Sequence, residues 1–310
     1  MDKVLSHSAA MIRQGSKSFS GASKLLDKST KESAILLYSW CRYCDDQIDN
    51  QILGFNKQSK EDNPNAKEIL QSIEKCTQDV INDISLEQIE FEALRRVLQK
   101  HSIPEQYPME HLQGFRMDVE KKQYYNITDT LEYCYHVAGV VGVMMAYIFG
   151  IKDSKILERA ADLGIAFQLT NIARDVIEDA KMGRVYLPSE WLAEHNIKPG
   201  TILDIKNRVK LFLVIKRLLD LSEEYYESAN IGIEYLPLRI RWGIKVASSV
   251  YREIGTKIRI LGSNAWNKRV YIKRPYKIFL AMKYFLRYFI WNKKNTVQHL
   301  ERSPFLWKKN

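Results

Sequence analysis

The chain has 310 residues, 45% of them hydrophobic, with four cysteines and a formal net charge of +10 at pH 7. This length suits one large domain or two small ones, and four cysteines are too few for a disulfide framework, so a reducing cytoplasm is expected. The N-terminus lacks the apolar core of a signal peptide, and no apolar run is expected to reach the roughly 18 uncharged residues of a membrane span.

Helical periodicity dominates the sequence and strand alternation is scarce, so we predict an all-α protein. Neither an internal repeat nor a break in composition indicates a domain boundary. Ser29 or Thr30 is expected to cap the third helix. The predicted helices cover residues 4–14, 17–26, 29–51, 65–83, 86–101, 108–121, 128–150, 153–181, 206–230, 237–262 and 275–292.

Two aspartates of the third predicted helix are four residues apart, a spacing that stacks like charges on one helix face. With Tyr38 and Arg42, Asp45 and Asp49 form a single polar stripe. Carboxylates so placed suit a hard divalent cation, and Arg42 offers a bidentate fork for phosphate oxygens. Asp46 lies about 100° around the helix from Asp45 and is expected to support the ligands. The alternative is an ordinary i,i+3 ion pair between Arg42 and Asp45.

An apolar segment at residues 133–150 contains Gly139 and Gly142. Glycine in a helix interior costs up to about 1 kcal/mol relative to alanine, so it is useful where another backbone or a long apolar ligand comes close. This glycine pair lacks the strand–turn–helix setting of a nucleotide loop, so nucleotide binding is not expected. The side chains expected to line an apolar channel are Tyr133, Val137, Met144 and Phe167.

A second acidic cluster lies in the next predicted helix. Gln168, Asn171, Asp175 and Asp179 recur at spacings of three or four and form another polar stripe, with Arg174 beside it. The stripe follows an apolar run, so it begins in buried surroundings and needs partners. Mg²⁺ takes such oxygens and is usually held by one or two carboxylates plus substrate phosphates. Two acidic stripes facing each other across a cavity would hold a metal-chelated pyrophosphate.

A polar loop is predicted directly after each acidic cluster, at residues 52–64 and 182–206. Such a segment could close as a lid over a water-sensitive reaction, although a plain surface connection is equally compatible with the sequence. Arg184 and Tyr186 occur in the second loop and could close over a phosphate.

The positive charge is concentrated in the C-terminal region. Residues 266–310 contain twelve Lys or Arg and the single acid Glu301, a net +11, which leaves −1 for the other 265 residues. The segment 276–291 mixes aromatic and basic residues, a composition that suits the surface of an anionic bilayer and equally a core helix with a solvated basic end. Nucleic-acid binding is not expected, because its motif context is missing.

Six motifs of the chain resemble those of the squalene/phytoene synthase family, and most closely those of its bacterial members. They run in family order to about residues 250–255. The motifs are GSKSF (15–19), LYSWCRYCDDQID (37–49), GFRMDVE (114–120), YCYHVAGVVG (133–142), AFQLTNIARDVIED (166–179) and GRVYLP (183–188). We therefore divide the expected single domain into a catalytic part, 1–265, and a basic, aromatic C-terminal helix and tail, 266–310.

The resemblance implies an isoprenoid synthase fold with a central cavity flanked by the two Asp-rich helices. It implies a prenyltransferase that joins two geranylgeranyl diphosphates head to head, through prephytoene diphosphate, to give phytoene and diphosphate, the first committed step of carotenoid biosynthesis. Mg²⁺, with Mn²⁺ as a substitute, is the implied cofactor, and NADPH is not required. The alternatives are the same chemistry on farnesyl diphosphate, giving dehydrosqualene or squalene, and a helical scaffold without activity.

The resemblance also implies roles for individual residues. The implied metal ligands are Asp45, Asp49, Asn171, Asp175 and Asp179. The implied catalytic residues are Asp45, Asp49, Asp175, Asp179, Arg42 and Tyr133. The implied substrate-binding residues are Gly15, Ser16, Lys17, Ser18, Phe19, Tyr38, Arg42, Val137, Gln168, Arg174, Arg184 and Tyr251. Asp118 lies in a family motif, but the resemblance leaves its role open.

The implied location is the cytoplasm, with peripheral membrane contact through the basic C-terminal region, since the product is a lipid. The long apolar C-terminal anchor typical of squalene synthases is not expected here. Geranylgeranyl diphosphate is the expected ligand, and contact with other carotenoid-pathway enzymes is compatible with this location.

Overall fold

The structure is a computed structural model that describes residues 2–15, 26–49, 63–290 and 301–309. Within these residues every regular element is helical and no strand occurs, which confirms the predicted all-α class. The α-helices are α1 (Lys3–Gly15), α2 (Lys28–Ile48), α3 (Ala66–Ile81), α4 (Ile89–His101), α5 (Gln106–Val119), α6 (Ile127–Cys134), α7 (Val140–Ile148), α8 (Ser154–Lys181), α9 (Ser189–Glu194), α10 (Arg208–Ile233), α11 (Leu238–Leu261) and α12 (Arg274–Phe285). The other helical turns are the π-helical Tyr135–Gly139 and Leu286–Ile290 and the 3-10 turns Pro199–Thr201, Ile205–Asn207 and Gly262–Asn264.

The cap of α2 differs from the prediction. The helix begins at Lys28 and its N-cap is Asp27, whose side chain accepts a hydrogen bond from the Thr30 backbone N–H at 3.1 Å, so the expected cap at Ser29 or Thr30 was wrong. A carboxylate two or three residues earlier satisfies a free N–H of the first turn and places a negative charge at the positive end of the helix dipole.

Two predicted segments cannot be compared in full. The predicted helix 17–26 lies outside the described residues except for its last residue, and so does the predicted loop 52–64 except for its last two residues. The predicted loop 182–206 is described, and it contains the short helix α9 and 3-10 turns rather than an irregular connection alone.

The single helix predicted at 128–150 is divided into α6 and α7 by the π-helical turn Tyr135–Gly139. A π-turn inserts an extra residue into a helix and is often found at functional sites, because it changes which side chains face a neighbour. This turn packs against α5 and α8. It places Val137 and Ala138 in the wall of a central cavity.

The central helix is α8, which packs along α10 and also contacts α7, the π-turn and α11. Its close approach to α7 and the π-turn depends on glycine. A Cβ at Gly142 would lie 2.3 Å from the Ala160 carbonyl oxygen, and a Cβ at Gly164 would lie 2.2 Å from the Ala138 carbonyl oxygen. No side-chain carbon fits at these distances, so the backbones meet directly, as expected for Gly142.

Two large hydrophobic clusters form most of the core, beside a small third cluster of Ile233, Leu236 and Ile240. One large cluster joins α2, α4, α5 and α7 around Trp40 and Phe91, and the other surrounds α8 and α10. Described residues of the C-terminal region belong to the second cluster: Trp266 donates its Nε1–H to the Ala173 carbonyl at 3.0 Å, and Leu280 of α12 is buried. The region after α11 therefore packs on the same core as the helices before it.

The segment 301–309 lies against α8 and α10. The Arg302 guanidinium donates to both oxygens of Asp162, at 2.7 and 2.9 Å, and Asp162 is fully buried. A buried carboxylate requires such a partner. The ion pairs of this segment are Arg302–Asp162, Lys308–Glu158 and Lys309–Glu110. Three basic side chains of the tail are thus neutralised within the chain.

The stretch Ile127–Ile148 is long and apolar enough to cross a membrane, so the expectation that no run would reach this length was wrong. In the structure 61% of its most apolar window is buried inside the protein, and the stretch includes the π-turn that packs on α8. Core packing accounts for its composition.

Candidate active site

A cavity of about 830 Å³ lies between α2, α5, the α6–α7 segment, α8 and α11. The predicted site residues that line it are Tyr38, Arg42, Asp45, Asp49, Tyr133, Val137, Gln168, Asn171, Arg184 and Tyr251. The apolar lining includes Val141, Met145, Phe149, Leu163, Ile233 and Ile244. Charged groups beside an extensive apolar wall suit a ligand with an ionic head and a hydrocarbon chain.

Other predicted site residues lie outside the cavity wall. Arg174, Asp175 and Asp179 belong to α8 but are not among the lining residues of the part of the chain described. Gly15 is the last residue of α1. Four predicted substrate contacts lie outside the described residues: Ser16, Lys17, Ser18 and Phe19.

The predicted apolar channel needs one correction. Tyr133, Val137 and Phe167 line the cavity as expected, but Met144 is fully buried in the core cluster of α2, α4, α5 and α7. The π-turn explains the error, because it shifts the following helix so that Met145, rather than Met144, continues the face that begins at Val137.

Arg42 binds the first acidic cluster from within α2. Its Nη1 lies 2.5 Å from Asp45 Oδ2 and 3.8 Å from Asp46 Oδ1, and its Nε–H donates to the Tyr38 hydroxyl at 3.3 Å. The i,i+3 ion pair is therefore present, and its members also line the cavity. Removal from bulk water raises the pKa of Asp45 to about 6, with Arg42 opposing this shift and Asp49 adding to it.

Arg184 connects the two acidic helices. It follows α8, where Gly183 has a φ of +75° and the Arg184 backbone N–H donates to the Asp179 carbonyl at 2.9 Å. Its Nη1 donates to Asp49 Oδ2 at 3.2 Å, and its Nη2 binds the other oxygen. Burial opposes the charge of Arg184, but Asp49, Tyr186 and Asp118 together outweigh it and raise the pKa of the guanidinium. The residue thus places a cation between α2 and the end of α8.

Asp175 of the second cluster is held by two arginines. Arg174 donates from Nε and Nη2 to its two oxygens, at 2.9 and 2.5 Å, and Arg269 Nη2 lies 3.0 Å from Oδ2. Asp179 has no ion pair within the described ranges. Burial raises the pKa of Asp179 to about 8, with Asp175 adding to the shift and Arg184 opposing it.

Asn171 supplies an oxygen whose hydrogen-bonding capacity is unused. Its Nδ2 donates to Gln168 Oε1 at 3.3 Å, whereas its Oδ1 is buried and has no hydrogen-bond partner in the described part of the chain. A buried amide oxygen left without a partner costs about 1–3 kcal/mol. Because Asn171 lines the cavity, a ligand or ion that binds there would remove this cost.

The donor set fits Mg²⁺. The candidate ligands are carboxylate and amide oxygens; within the described residues the Asn171 oxygen has no hydrogen-bond partner and the buried Asp179 carboxyl has no ion pair. The described residues contain no group of three or more His, Cys, Asp or Glu side chains arranged to hold a metal. A Mg²⁺ ion bound here would take one or two of the carboxylates directly and would complete its shell with substrate phosphates and water.

Asp118 fixes two tyrosines at the cavity wall. The Tyr133 hydroxyl donates to Oδ2 at 3.0 Å and the Tyr186 hydroxyl donates to Oδ1 at 2.9 Å, and the two rings stack with centroids 4.5 Å apart. Burial raises the pKa of Asp118 to about 6, and Arg184 opposes the shift. The carboxylate therefore sets the orientation of the Tyr133 hydroxyl, a role that the sequence analysis left open.

A family model described as squalene/phytoene synthase matches residues 12–276 of the chain. The chain belongs to the squalene/phytoene synthase family. One family relative, the 15-cis-phytoene synthase of Enterobacter agglomerans, is 45% identical over 298 residues, which cover 95% of this chain and 98% of that protein. The 15-cis-phytoene synthase of Pantoea ananas is 44% identical over 280 residues, 90% of either chain.

Solved structures confirm the isoprenoid synthase fold expected for the family. A dehydrosqualene synthase in complex with a ligand is 27% identical and aligns with a TM-score of 0.79, covering 91% of this chain and 95% of that one. The squalene synthase HpnC of Alicyclobacillus acidocaldarius is 20% identical with a TM-score of 0.74, covering 84% and 95%.

Sequence reasoning missed Arg269 entirely. It lies 94 residues after Asp175, in the region that matches the family motifs least, and no local pattern marks it as a partner of an acidic helix. Asp118 carried a signal, since it sits in the motif GFRMDVE, but only the fold brings Tyr133 and Tyr186 to its two oxygens.

Proposed function

We propose that this chain is a phytoene synthase, which condenses two geranylgeranyl diphosphates head to head. The observation that carries the proposal is the single cavity in which Arg42, Asp45, Asp49 and Arg184 share a wall with an extensive apolar surface. Choice of the longer substrate rests on the relatives named phytoene synthase, which are 43–45% identical over 90–95% of the chain. The alternative, farnesyl diphosphate as substrate, has the weaker support of a dehydrosqualene synthase structure at 27% identity.

The charged residues act on the leaving group. Arg42 and Arg184 line the cavity and bind Asp45 and Asp49. When a diphosphate enters, their guanidinium groups can transfer to its oxygens and stabilise the charge that develops as the allylic C–O bond breaks. The carboxylates released by this exchange become available to a cation. Positive charge near the diphosphate is thereby kept in place throughout ionisation.

We propose Mg²⁺, or Mn²⁺ as a substitute, as the cofactor. The residues that would hold it are Asp45, Asp49, Asn171, Asp175 and Asp179. A divalent ion there supplies Lewis-acid stabilisation of the departing diphosphate. NADPH is not needed, because formation of phytoene ends with loss of a proton rather than with reduction.

The apolar residues act on the carbocations. Phe167 and Tyr251 stack with centroids 4.3 Å apart and line the cavity together with Tyr133. Aromatic faces attract cations, and the apolar wall excludes water that would otherwise trap them. The second substrate's alkene captures the first allylic cation to give a cyclopropyl diphosphate, which ionises, rearranges and loses a proton. Asp118 holds the Tyr133 hydroxyl in place beside these species.

The test is a product assay with the purified protein. Geranylgeranyl diphosphate and farnesyl diphosphate are each incubated with Mg²⁺, with Mn²⁺ or with EDTA, with and without NADPH, and the extracted hydrocarbons are identified by mass spectrometry. We expect phytoene, a preference of about tenfold or more for the longer substrate, no product in EDTA and no effect of NADPH. A thirty-carbon product without turnover of the longer substrate would overturn the substrate assignment, and full activity in EDTA would overturn the metal assignment.

We further propose that the enzyme is cytoplasmic and contacts the membrane peripherally. Support comes from the net charge of +11 in residues 266–310 and from the lipid nature of the proposed product. Cell fractionation in low and high salt tests this location, and we expect salt to release the protein from the membrane fraction. Recovery in the soluble fraction at low salt would contradict it.

A further inference from the structure

One apolar surface of the protein is exposed along α12 and its π-helical continuation. We call it the α12 face, and its members are Ile278, Phe279, Met282, Phe285, Leu286, Phe289 and Ile290. Their spacings of one, three or four residues place them on one side of the helix. Ile278 and Met282 are 61% and 60% exposed. A contiguous apolar surface of this kind marks an interaction site.

The α12 face is presented by a helix that is firmly attached to the core. On its opposite side Leu280 and Tyr288 are buried. Trp242 of α11 donates its Nε1–H to the Ala281 carbonyl at 2.9 Å, and its ring contacts the edge of the Phe285 ring. The exposure of the face therefore belongs to the packed arrangement of α11 and α12.

The charged residues that α12, its π-helical continuation and the segment before them carry are all basic, although Glu234 and Glu253 of the neighbouring chain segments accept hydrogen bonds from Tyr288 and Tyr276. Residues 267–290 contain seven Lys or Arg and no acid. Lys283 and Arg287 are exposed on the same element as the face. In the segment 301–309, by contrast, the basic residues form internal ion pairs. An apolar stripe with basic residues beside it is the arrangement that lies in the interface of an anionic bilayer.

The α12 face is also continuous with the cavity. Ile278 lines the cavity although most of its side chain is exposed, and Ala281 of α12 lines it as well. From α11, Gly243 and Ile244 complete this part of the wall. The seam between α11 and α12 is therefore the place where the cavity wall and the exposed apolar surface meet at one side chain.

We propose that the α12 face docks into an anionic lipid surface and that the α11–α12 seam at Ile278 is the passage by which hydrocarbon leaves the cavity for the bilayer. The docking proposal depends only on the exposed apolar and basic side chains of α12 and its π-helical continuation. The passage rests on the proposed function, because it requires a long-chain hydrocarbon product.

Vesicle flotation without substrate tests the docking. We compare the wild type with the double variant Phe279→Glu, Met282→Glu, using phosphatidylcholine vesicles with and without phosphatidylglycerol. The matched control is Val209→Glu, Ile260→Glu, which adds the same charge at two apolar residues exposed elsewhere. We expect the wild type and the control to float with anionic vesicles, and the bound fraction of the face variant to fall about tenfold. Circular dichroism and the thermal midpoint establish that each variant is folded.

Three flotation results would overturn the docking proposal. These are wild-type flotation of the face variant, an equal loss in the control, and a wild-type dimer that the face variant converts to a monomer with flotation unchanged. The last result would assign the α12 face to contact between copies of the chain.

The basic residues are tested separately. The double variant Lys283→Gln, Arg287→Gln is compared with Lys198→Gln, Lys216→Gln, which removes two positive charges from exposed positions elsewhere. We expect a loss of about fivefold or more in binding to anionic vesicles for the first variant only. Equal losses would mean that net charge, and not this surface, drives binding, and would contradict the proposal.

Single-turnover and steady-state rates test the passage. For the face variant we expect a single-turnover rate within about twofold of the wild type and a steady-state rate on vesicles about fivefold lower, recovered in detergent. An unchanged steady-state rate on vesicles together with lost flotation would overturn the passage. Absence of phytoene from the wild type in detergent would instead refute the proposed function and leave the flotation result standing.

Discussion

The two acidic helices carry the same spacing of aspartates but differ in how their charges are balanced. In α2, Asp45 and Asp49 line the cavity and are bound by Arg42 and Arg184. In α8, Asp175 is held beside the cavity wall by Arg174 and Arg269, while Asp179 has no ion pair within the described residues and Asn171 has an unpartnered oxygen. The named groups of α8 thus divide into one carboxylate bound by two arginines and two groups that lack such partners within the described residues, the Asp179 carboxyl and the Asn171 oxygen.

The same spacing of aspartates can therefore occur with both carboxylates paired, as at α2, or with one of them unpaired within the described residues, as at α8. Asp45 and Asp49 face cations that can transfer to a diphosphate, so the α2 cluster is ready to exchange partners. In the α8 cluster, Asp179 has no ion pair and Asn171 Oδ1 has no hydrogen-bond partner within the described residues. A bound cation would thus stabilise the α8 cluster more than the α2 cluster. We therefore expect the two helices to respond differently to substitution and to metal.

The largest expected effect is on turnover, and it should be shared by both helices. We expect Asp45→Ala and Asp175→Ala each to lower kcat by about 10³-fold or more, because each removes a proposed ligand from the diphosphate site. Helical content should stay near that of the wild type. Glu178→Ala, at an exposed position of α8, is the matched control and should stay within about threefold. A variant of either aspartate with near-normal turnover would remove that helix from the metal site.

The next prediction concerns the pH dependence of the free energy of unfolding, to which a buried histidine contributes as well as the carboxylates of the acidic helices. His111 is buried in the cavity wall, its Nδ1–H donates to the His136 carbonyl at 3.1 Å, and its Nε2 has no partner within the described residues. Burial lowers the pKa of His111 to about 4. Since the folded state binds fewer protons than the unfolded state between about pH 6.5 and 4, stability is lost as the pH falls through this window.

The expected loss from His111 is about 3 kcal/mol between pH 6.5 and 4, measured by urea denaturation. His111→Asn keeps a donor near the Nδ1 position and removes the titrating ring, so its acid-dependent loss should be smaller by that amount. An identical pH profile for both proteins would assign the acid sensitivity to the carboxylates instead.

The sequence predicted contacts between residues that are close together on one helix, but it predicted contacts between distant residues less well. The stripes on α2 and α8 and the Arg42–Asp45 pair obey helical spacing, so periodicity was enough to predict them. Arg184 was expected near a phosphate from its place after the second acidic cluster and from the family resemblance, but its contact with Asp49 spans 135 residues and was not predicted. Arg269 had neither a local pattern nor a motif, so only the fold reveals it.

Smaller errors had local physical causes. Met144 was assigned to the wrong face because a π-turn adds a residue to the helix, and simple 3.6-residue periodicity does not anticipate this. The cap of α2 was misplaced because Asp27, Ser29 and Thr30 are all suitable cap residues and the helix begins directly after the first of them. The class of each element was correct in both places, and only the register or the end was wrong.

A third prediction concerns the two aspartates of α8 without metal. Asp175→Asn should lower the free energy of unfolding by about 2 kcal/mol, because it leaves Arg174, only 14% exposed, without its carboxylate. Asp179→Asn should instead raise it at neutral pH, because it removes a buried carboxyl group whose pKa is raised to about 8 and leaves no described cation unpaired. Urea denaturation in EDTA measures both. Equal losses would contradict the unequal compensation inferred for this helix.

The same two variants can be compared after addition of Mg²⁺. An ion that binds only the folded state raises the thermal midpoint, and both variants should lose part of the rise seen for the wild type. If Asp179→Asn keeps the full rise in thermal midpoint, Asp179 is not a metal ligand. The two helices would then differ only in how their carboxylates are packed.

The smallest expected effect is that of Arg269, and it tests whether this second arginine at Asp175 weakens the binding of Mg²⁺. The Arg269 side chain is 65% exposed, so water and salt screen its contact with Asp175, and Arg269→Gln should cost less than about 0.5 kcal/mol of stability. The substitution removes a cation that competes with metal for the same carboxylate. We therefore expect half-maximal thermal stabilisation at a Mg²⁺ concentration about twofold lower than for the wild type, whereas Arg217→Gln, which removes an exposed arginine paired with Glu194, should leave it unchanged. A higher requirement for Mg²⁺ in Arg269→Gln would show that Arg269 orients Asp175 as a ligand, and the two arginines at this carboxylate would then be positioning groups.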